Sequence, residues 1–371
     1  MKLLVVSSAP LIFRDGKTYA YSPYVNEMAI WQKYAQISFA CVEWKEANGL
    51  LVSEIPFKIE KFYALSDFNI KSKKNLFKAI YNSILNIFVL IKAMKSADHI
   101  HLRCPGNMAL LGCIAQIFFP SKTKTAKYAG NWDSKSKQPF SYRLQKKILS
   151  NTFLTKNMQV LVYGEWAGQT KNIKPFFTAT YRETDKAPVA KRNLQDEIKF
   201  VFAGTLSPGK RPMYALKLVE ILHKRGCNVH FDLYGEGIER KKLEEYISEN
   251  NLSKIITLHG NQNELTVRNA YQKAHFLMLP SQSEGWPKVV AEAMFWGCVP
   301  ISSAVSCVPN MLDSGNRGIL LSMEIDKDAE EVYKLLNNEA AYFEKSLKAE
   351  NWSRNYTLDT FESEIKRLLQ S

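Results

Sequence analysis

Paired cysteines are missing from this sequence: Cys41, Cys104, Cys113, Cys227, Cys298 and Cys307 form no CxxC motif. Several lie inside apolar runs, where a thiol behaves as a small hydrophobe. No disulfide framework or cysteine-based metal site is therefore expected, and a reducing cytosol fits best. Long apolar runs are missing too. The stretches 84–91, broken by Asn86, and 108–120 fall short of the roughly 18 residues needed to cross a bilayer, so a membrane-spanning chain is not expected. The opening run Met1–Ser8 is too short for a signal-peptide core and has no cleavage site after it, so it reads as a strand and export is not expected. There is no short-period repeat and no low-complexity tract. His99 and His101 alternate along one strand, which is not a metal-ligand pattern, and they are expected to be partly buried strand residues.

Acidic residues are scarce in the first half. Residues 1–190 hold 27 Lys and Arg against 12 Asp and Glu, a net charge of +15, whereas residues 191–371 hold 23 against 24. The clusters Lys71–Lys74, Lys122, Lys124 and Lys127, and Arg143 with Lys146 and Lys147 are suited to anionic lipid head groups, to nucleic acid, or simply to a solvated surface. No RNA-recognition, helix-turn-helix or zinc motif supports nucleic acid. The expected partner of the basic half is an anionic membrane, touched peripherally.

What is present is a chain of 371 residues, 46% hydrophobic and 23% charged, long enough for two domains with substantial cores. Short apolar runs alternate with longer helical patterns in two series, the signature of parallel α/β architecture. Strands are expected at 2–6, 36–42, 99–102, 125–129 and 159–163 in the first series. In the second they fall at 199–203, 229–234, 255–259, 276–280 and 299–302. Helices are expected at 75–94 and 107–119, then at 212–225, 238–250, 264–274 and 287–296. The polar stretch 181–195 reads as a linker, which divides the chain into residues 1–185 and 196–352, with a last helix at 353–371 returning to the first domain.

The chemistry concentrates in Pro280-Ser-Gln-Ser-Glu284-Gly285-Trp286-Pro287-Lys288-Val289-Val-Ala-Glu292-Ala-Met-Phe-Trp-Gly297-Cys-Val-Pro300. A strand ends, a loop carries Glu284, and a helix begins near Pro287, a residue favoured in a first helical turn. The unpaired amides of Lys288 and Val289 and the helix dipole suit a phosphate. One carboxylate before that helix start and another a turn inside it can each accept hydrogen bonds from a pair of sugar hydroxyls.

This stretch resembles glycosyltransferase family 4, whose members are retaining enzymes of the GT-B type. The resemblance implies two Rossmann-like doubly wound domains facing across a cleft, with the donor held by the second. It implies Glu284 on the donor sugar, Glu292 on the ribose, the Gly285, Trp286 and Pro287 turn beside the donor, and the Lys288 and Val289 amides on the diphosphate. Upstream, Phe200-Val-Phe-Ala-Gly204-Thr205-Leu-Ser-Pro-Gly-Lys210-Arg211 is similar to the segment of that family that clamps the diphosphate. Thr205 replaces the usual arginine, so Lys210 is the expected clamp and Arg211 a second cation that restores the missing charge. Leu233-Tyr-Gly235-Glu-Gly237 resembles the family's glycine turn near the nucleotide, and Leu258-His-Gly260-Asn-Gln262 the segment bordering the base, with Gln262 as its reader.

The acceptor half is less regular. Phe13-Arg-Asp-Gly16-Lys-Thr-Tyr19-Ala-Tyr21-Ser-Pro-Tyr24 is expected as a loop at a strand's carboxyl edge, where ligands bind in open α/β sheets. Gly16 resembles a reduced form of the family's glycine-rich donor loop, and Tyr19, Tyr21 and Tyr24 are candidates to stack on an acceptor or to pack the domain edge. The segment 127–133 lies where the family often carries a functional His or Asp. Asp133 is the carboxylate available for that role and Asn131 a neutral acceptor contact. The resemblance implies transfer of a hexose from a UDP- or GDP-sugar to a glycan or lipid-linked acceptor in cell-surface polysaccharide synthesis. No metal or other cofactor is expected, and the implied place is the cytoplasmic face of the membrane. The alternatives are a GT-B-type nucleotide-sugar epimerase and a non-catalytic basic adaptor of the same fold.

Overall fold

The computed structural model describes residues 1–67 and 73–370, and they form two compact units. Unit 1 is residues 1–176 with 362–371, and unit 2 is residues 177–361. Against the expected linker at 181–195, the division falls after Phe176 and again inside the last helix.

Unit 1 contains β1 (Lys2–Val6), β2 (Leu11–Arg14), β3 (Lys17–Tyr21), α1 (Ser22–Gln32), β4 (Gln36–Trp44), β5 (Val52–Glu54), β6 (Lys61–Leu65), α2 (Lys73–Ser96), β7 (His99–Cys104), α3 (Asn107–Ala115), β8 (Thr123–Tyr128), α4 (Phe140–Leu149), β9 (Met158–Tyr163) and β10 (Ile173–Phe176). Its parallel strands run β6-β4-β1-β7-β8-β9-β10. The order reverses at β1, which is the doubly wound arrangement. Leu4, Val6, Ile100, Leu102, Ala126 and Val160 form its buried centre.

Unit 2 contains β11 (Ile198–Ala203), α5 (Pro212–Lys224), β12 (Val229–Tyr234), α6 (Arg240–Glu249), β13 (Ile256–Gly260), α7 (Glu264–Lys273), β14 (Phe276–Leu279), α8 (Lys288–Phe295), β15 (Val299–Ser303), α9 (Val308–Met311), β16 (Ile319–Leu321), α10 (Ile325–Leu336), α11 (Glu339–Ser353) and the start of α12 (Leu358–Gln370). Six parallel strands run β13-β12-β11-β14-β15-β16. Their near-continuous apolar character follows from burial on both faces by helices, as in Phe200, Phe202, Phe231, Phe276 and Ile301. Chain order places the reversal between β11 and β14, the position at whose carboxyl edge open α/β sheets bind their ligands.

The expected strands are all found, with ends shifted by one or two residues. A hairpin replaces the loop expected at 13–24: β2 and β3 pair antiparallel with Arg14 opposite Lys17. Asp15 and Gly16, at φ +52° and +73°, form the two-residue turn between them, and Asp-Gly is a strong signal for such a turn. The segment 181–195 is bound to unit 2. Tyr181 packs on Phe295 and Trp296, and the Arg192 guanidinium donates to the carbonyls of Ala274 and Trp296.

Three further expectations are corrected. Helix α2 runs unbroken past Asn86, and Phe77–Ser96 is long and apolar enough by length and composition to cross a membrane. Its inner side nevertheless packs into unit 1 through Ala79, Leu90, Ala93 and Met94. Of the basic clusters, Lys124 and Lys127 are buried within β8 and do not face a lipid surface, while the Lys71–Lys74 cluster lies outside the described side chains. His99 and His101 are fully buried, both on the Thr125 hydroxyl at 2.9 and 2.8 Å. Burial holds His101 neutral and pushes His99 down to about 4.

Candidate functional site

Two loops of unit 2 meet at the reversal of strand order. The β11–α5 loop starts at Gly204, and a backbone bond from the Gln282 amide to the Gly209 carbonyl, 2.8 Å, ties it to the β14–α8 loop. Across that tie the Lys210 ammonium reaches the Glu284 carboxylate at 2.6 Å. The carboxylate is nearly enclosed and the ammonium partly open. Such a pair aligns both groups, while the lysine keeps donors for a further anion.

Helix α8 begins just beyond Glu284 in the chain. Pro287 precedes its first residue, no side chain caps it, and its first turn contains no acidic residue. The carbonyl of Gly285 is held by the Ser306 hydroxyl and the Cys307 thiol, each at 3.1 Å, which fixes the turn feeding the helix. Lys288 is exposed and Val289 half-buried. An uncapped helix start with a lysine beside it is an anion site in waiting. Glu292, one turn further on, accepts the Thr180 hydroxyl at 2.6 Å. A little of its surface reaches solvent, but protein surrounds the carboxyl, and this burial raises its pKa above the ordinary carboxylate value, the Thr180 bond and Lys288 opposing the shift.

Glycine is needed where the β12–α6 loop joins. A Cβ on Gly235 would lie 1.9 Å from the Gly204 carbonyl oxygen, and one on Gly237 2.3 Å from that of Leu206. The Leu206 amide donates to Glu236 O at 2.9 Å and the Gly235 amide to Gly260 O at 2.8 Å, so three strand-end loops are laced together by backbone alone.

Residues 183–356 match the family model described as glycosyl transferases group 1. This segment is similar to the group 1 glycosyltransferase domain. The chain is similar to an uncharacterized glycosyltransferase of Methanocaldococcus jannaschii, 33% identical over 116 residues that cover 31% of this chain and 33% of the relative. It is also similar to the poly(ribitol-phosphate) alpha-N-acetylglucosaminyltransferase of Staphylococcus aureus, 22% identical over 293 residues, 75% of this chain and 57% of the relative. The chain thus spans from a third to a little over half the length of these relatives. Among solved structures, lipopolysaccharide outer core galactosyltransferase WaaB superposes with a TM-score of 0.73 at 15% identity, covering 100% of this chain and 99% of that one. Sucrose-phosphate synthase from Thermosynechococcus elongatus superposes at 0.65, also at 15% identity, covering 100% and 98%. At such identities the likeness is one of fold, the two-domain Rossmann-like GT-B architecture.

Within the matched segment the structure brings together Gly204, Lys210, Glu284, Gly285 and the start of α8. Arg211 sits at φ +51° just before α5 and has no ion-pair partner among the described residues. Trp286 turns into packing, its ring 6.1 Å from Trp352 and 5.6 Å from Tyr356, because those two aromatic side chains cover that side of the turn. Gln262 is exposed and folds its amide nitrogen onto the His259 carbonyl at 2.9 Å. Sequence reasoning missed Thr180, which lies outside the motif it serves. It also missed the stack of Tyr234 on His259, 4.5 Å and 6°, and the bond from His259 to Asp232 at 2.6 Å. Tyr234 and His259 lie on adjacent strands where the register shifts and Tyr234 falls opposite Gly260, a juxtaposition that only the sheet reveals.

The unit 1 candidates separate. Gly16 is the hairpin turn, and a Cβ added there would meet no atom within 4 Å, so its positive φ and not a close approach calls for glycine. Tyr24 is buried on α1 between Phe39 and the Arg103 guanidinium, 4.5 Å above its ring, so it packs the unit and is closed to an acceptor. Tyr19 lies beneath Arg14 at 5.2 Å, and Tyr21 is exposed. Asn131 accepts the Asp133 amide and Asp133 the Lys135 amide, both at 2.9 Å, which are local loop bonds. Among the described residues no group of three His, Cys, Asp or Glu side chains is placed to hold a metal ion.

Proposed function

We propose that the protein is a retaining glycosyltransferase that moves a hexose from a UDP- or GDP-sugar to a glycan or lipid-linked acceptor, at the cytoplasmic face of the membrane, in cell-surface polysaccharide synthesis. The observation that carries this reading is the Lys210–Glu284 pair, held at 2.6 Å beside the uncapped start of α8 at the strand-order reversal. Solved structures of this fold that hold UDP-glucose, or UDP with a sugar, support a UDP-sugar donor.

In this reading Lys210, Arg211 and the amides of Lys288 and Val289 receive the diphosphate. Glu284 accepts sugar hydroxyls and Glu292 those of the ribose. The bond from the anomeric carbon to phosphate breaks while the bond to the acceptor oxygen forms on the same face. The departing diphosphate gathers charge, so cations and amides aimed at it lower the barrier. The acceptor's proton passes to a phosphate oxygen or to Asp133. No metal is required, because fixed protein charges serve the leaving group.

A thermal-shift screen against UDP, GDP and their sugars tests the reading, with Lys210→Ala, Glu284→Ala and Glu292→Ala alongside. A nucleotide shift in the native protein that all three substitutions reduce, together with sugar transfer to an acceptor, is expected. An unmoved melting temperature with every nucleotide, or donor consumption without transfer, would overturn it.

A further inference from the structure

Unit 1 carries one long helix whose apolar side is turned outward. Over 24 residues α2 contains no Asp or Glu. At about 100° per residue, Ala79, Leu90, Ala93 and Met94 share one side and are buried. On the opposite side Phe77, Ile80, Tyr81, Ile84, Leu85 and Phe88 are exposed, Phe77 to 83%, Tyr81 to 63% and Phe88 to 66%. The orientation is locked. Asn86 on the inner side accepts the Ser66 amide and donates to the Ser66 carbonyl, both at 2.8 Å, and Asn82 donates to the Asp67 carbonyl at 3.0 Å. Rotating the aromatics inward would break these bonds and bury nothing polar in exchange.

Charge indicates the occupant. Lys92 and Lys95 continue the same outward face toward the carboxyl end of α2, and Lys78 lies at its margin; all three are exposed. Between Asp67 and Glu165 the chain carries 16 Lys and Arg against only Asp98 and Asp133. Arg103, Lys124 and Lys127 are turned into the unit, but Lys78, Lys92 and Lys95 are exposed on α2 and Lys122 adds a further cation at its carboxyl end, on the Lys95 carbonyl at 2.9 Å. The short turn that packs against α2 exposes Phe118 as well. A second copy of this chain would bring the same lysines face to face. An anionic bilayer would bring phosphate to the lysines and acyl chain to the aromatics, the composition that in-plane interfacial helices share. Long lysine stems can reach the head groups from such a depth.

We infer that the outer face of α2 seats unit 1 on an anionic lipid bilayer, with Phe77, Tyr81, Ile84 and Phe88 at the acyl boundary and Lys92 and Lys95 on head-group phosphates. This deepens the membrane-side placement proposed above and rests on it, but its test is separate from donor binding.

The full chain is sedimented with vesicles of phosphatidylcholine alone and of phosphatidylcholine mixed with phosphatidylglycerol, at low and high salt. Binding to the anionic vesicles should be at least about tenfold tighter and weaken with salt. Phe77→Ser with Phe88→Ser should lower it by about tenfold or more, and Lys92→Gln with Lys95→Gln should remove most of the preference for anionic lipid. Both double variants should keep the nucleotide-induced thermal shift of the native protein, so loss of lipid binding is read apart from loss of fold or donor binding. In a Phe88→Trp reporter, quenching of the indole by brominated lipid should place position 88 below the head groups. Equal binding to both vesicle types, unchanged binding by the double phenylalanine variant, an unquenched reporter, or a dimer that this variant dissociates would each overturn the inference.

Discussion

Both units wind their strands in the same order, yet they place charge in opposite ways. Unit 2 keeps its strands largely apolar, the Asp232–His259 pair apart, and puts Lys210 and Glu284 in loops at the strand ends, with the ammonium partly open to solvent. Unit 1 puts cations inside the layer itself. Arg103 on β7 and Lys127 on β8 share the Glu27 carboxylate of α1 at 2.8 and 2.9 Å. Burial alone would raise Glu27, but these two cations outweigh it and hold its carboxyl far below the ordinary range. Lys124, capped by the Phe119 carbonyl at 2.9 Å, is pushed down to about 8 by burial. One topology thus carries an ion pair at its loop edge, partly open to water, and an ion-pair cluster sealed in a core.

The largest expected effect sharpens that contrast. Glu27→Gln removes the carboxylate shared by two buried cations, and breaking such a pair typically costs about 3–5 kcal/mol; denaturant unfolding measures it. Glu27 has a depressed folded pKa, so its contribution is present above the unfolded value of about 4.5 and lost as pH falls below it. The variant should therefore be least distinguishable from the native protein in acid. The nucleotide-induced shift should survive wherever the variant is folded.

Lys210→Ala should do the reverse. Turnover is expected to fall by about 10²–10³-fold, the scale of removing one fixed donor from a developing anion, with a small change in unfolding midpoint because the pair is partly open to water. Steady-state kinetics beside a melting curve distinguish this outcome from global damage. A core-type loss of stability at Lys210 would erase the distinction between the units.

Glycine gives a matched pair. Gly235→Ala drives a methyl into the Gly204 carbonyl oxygen and should separate the β11 and β12 loops, abolishing nucleotide binding. Gly16→Ala meets no atom and carries only the strain of positive φ, roughly 1 kcal/mol. Thermal melts with and without UDP compare the two. The smallest effect is expected at Glu292→Gln. The folded pKa of Glu292 is raised, so its contribution to stability is full below 4.5 and declines as pH rises through the folded value. The glutamine variant should hold an equal or higher melting temperature at neutral pH while losing nucleotide affinity. A marked fall in its stability would show that Thr180 and Glu292 form a structural bond first.

Much of unit 2 was legible because its signals are local. Strand ends, the Pro287 helix start and the Glu284 and Glu292 spacing sit within a few residues of one another. Unit 1 was harder because its decisive partners are remote in sequence. The pairing of Glu27 with Arg103 and Lys127, the burial of Tyr24 under Arg103, and the closure of β8 around Lys124 all depend on which helix covers which strand. The Asp15–Gly16 hairpin was readable, since turn chemistry is local, yet the resemblance to a glycine-rich loop drew attention away from it. The polar segment 181–195 resembled a linker because composition reports solubility, whereas its attachment rests on carbonyls of Ala274 and Trp296 supplied from far along the chain.

By itself the sequence determined the alternation of strands and helices, the uneven charge, and the residue types gathered around α8, because periodicity and short spacing translate directly into local geometry. Tertiary structure alone decided that Lys210 meets Glu284, that Thr180 holds Glu292, that two lysines of β8 lie inside, and that the aromatic face of α2 lies outside. Contacts between distant residues depend on how layers pack, and packing selects which of several chemically suitable partners each buried or exposed group receives.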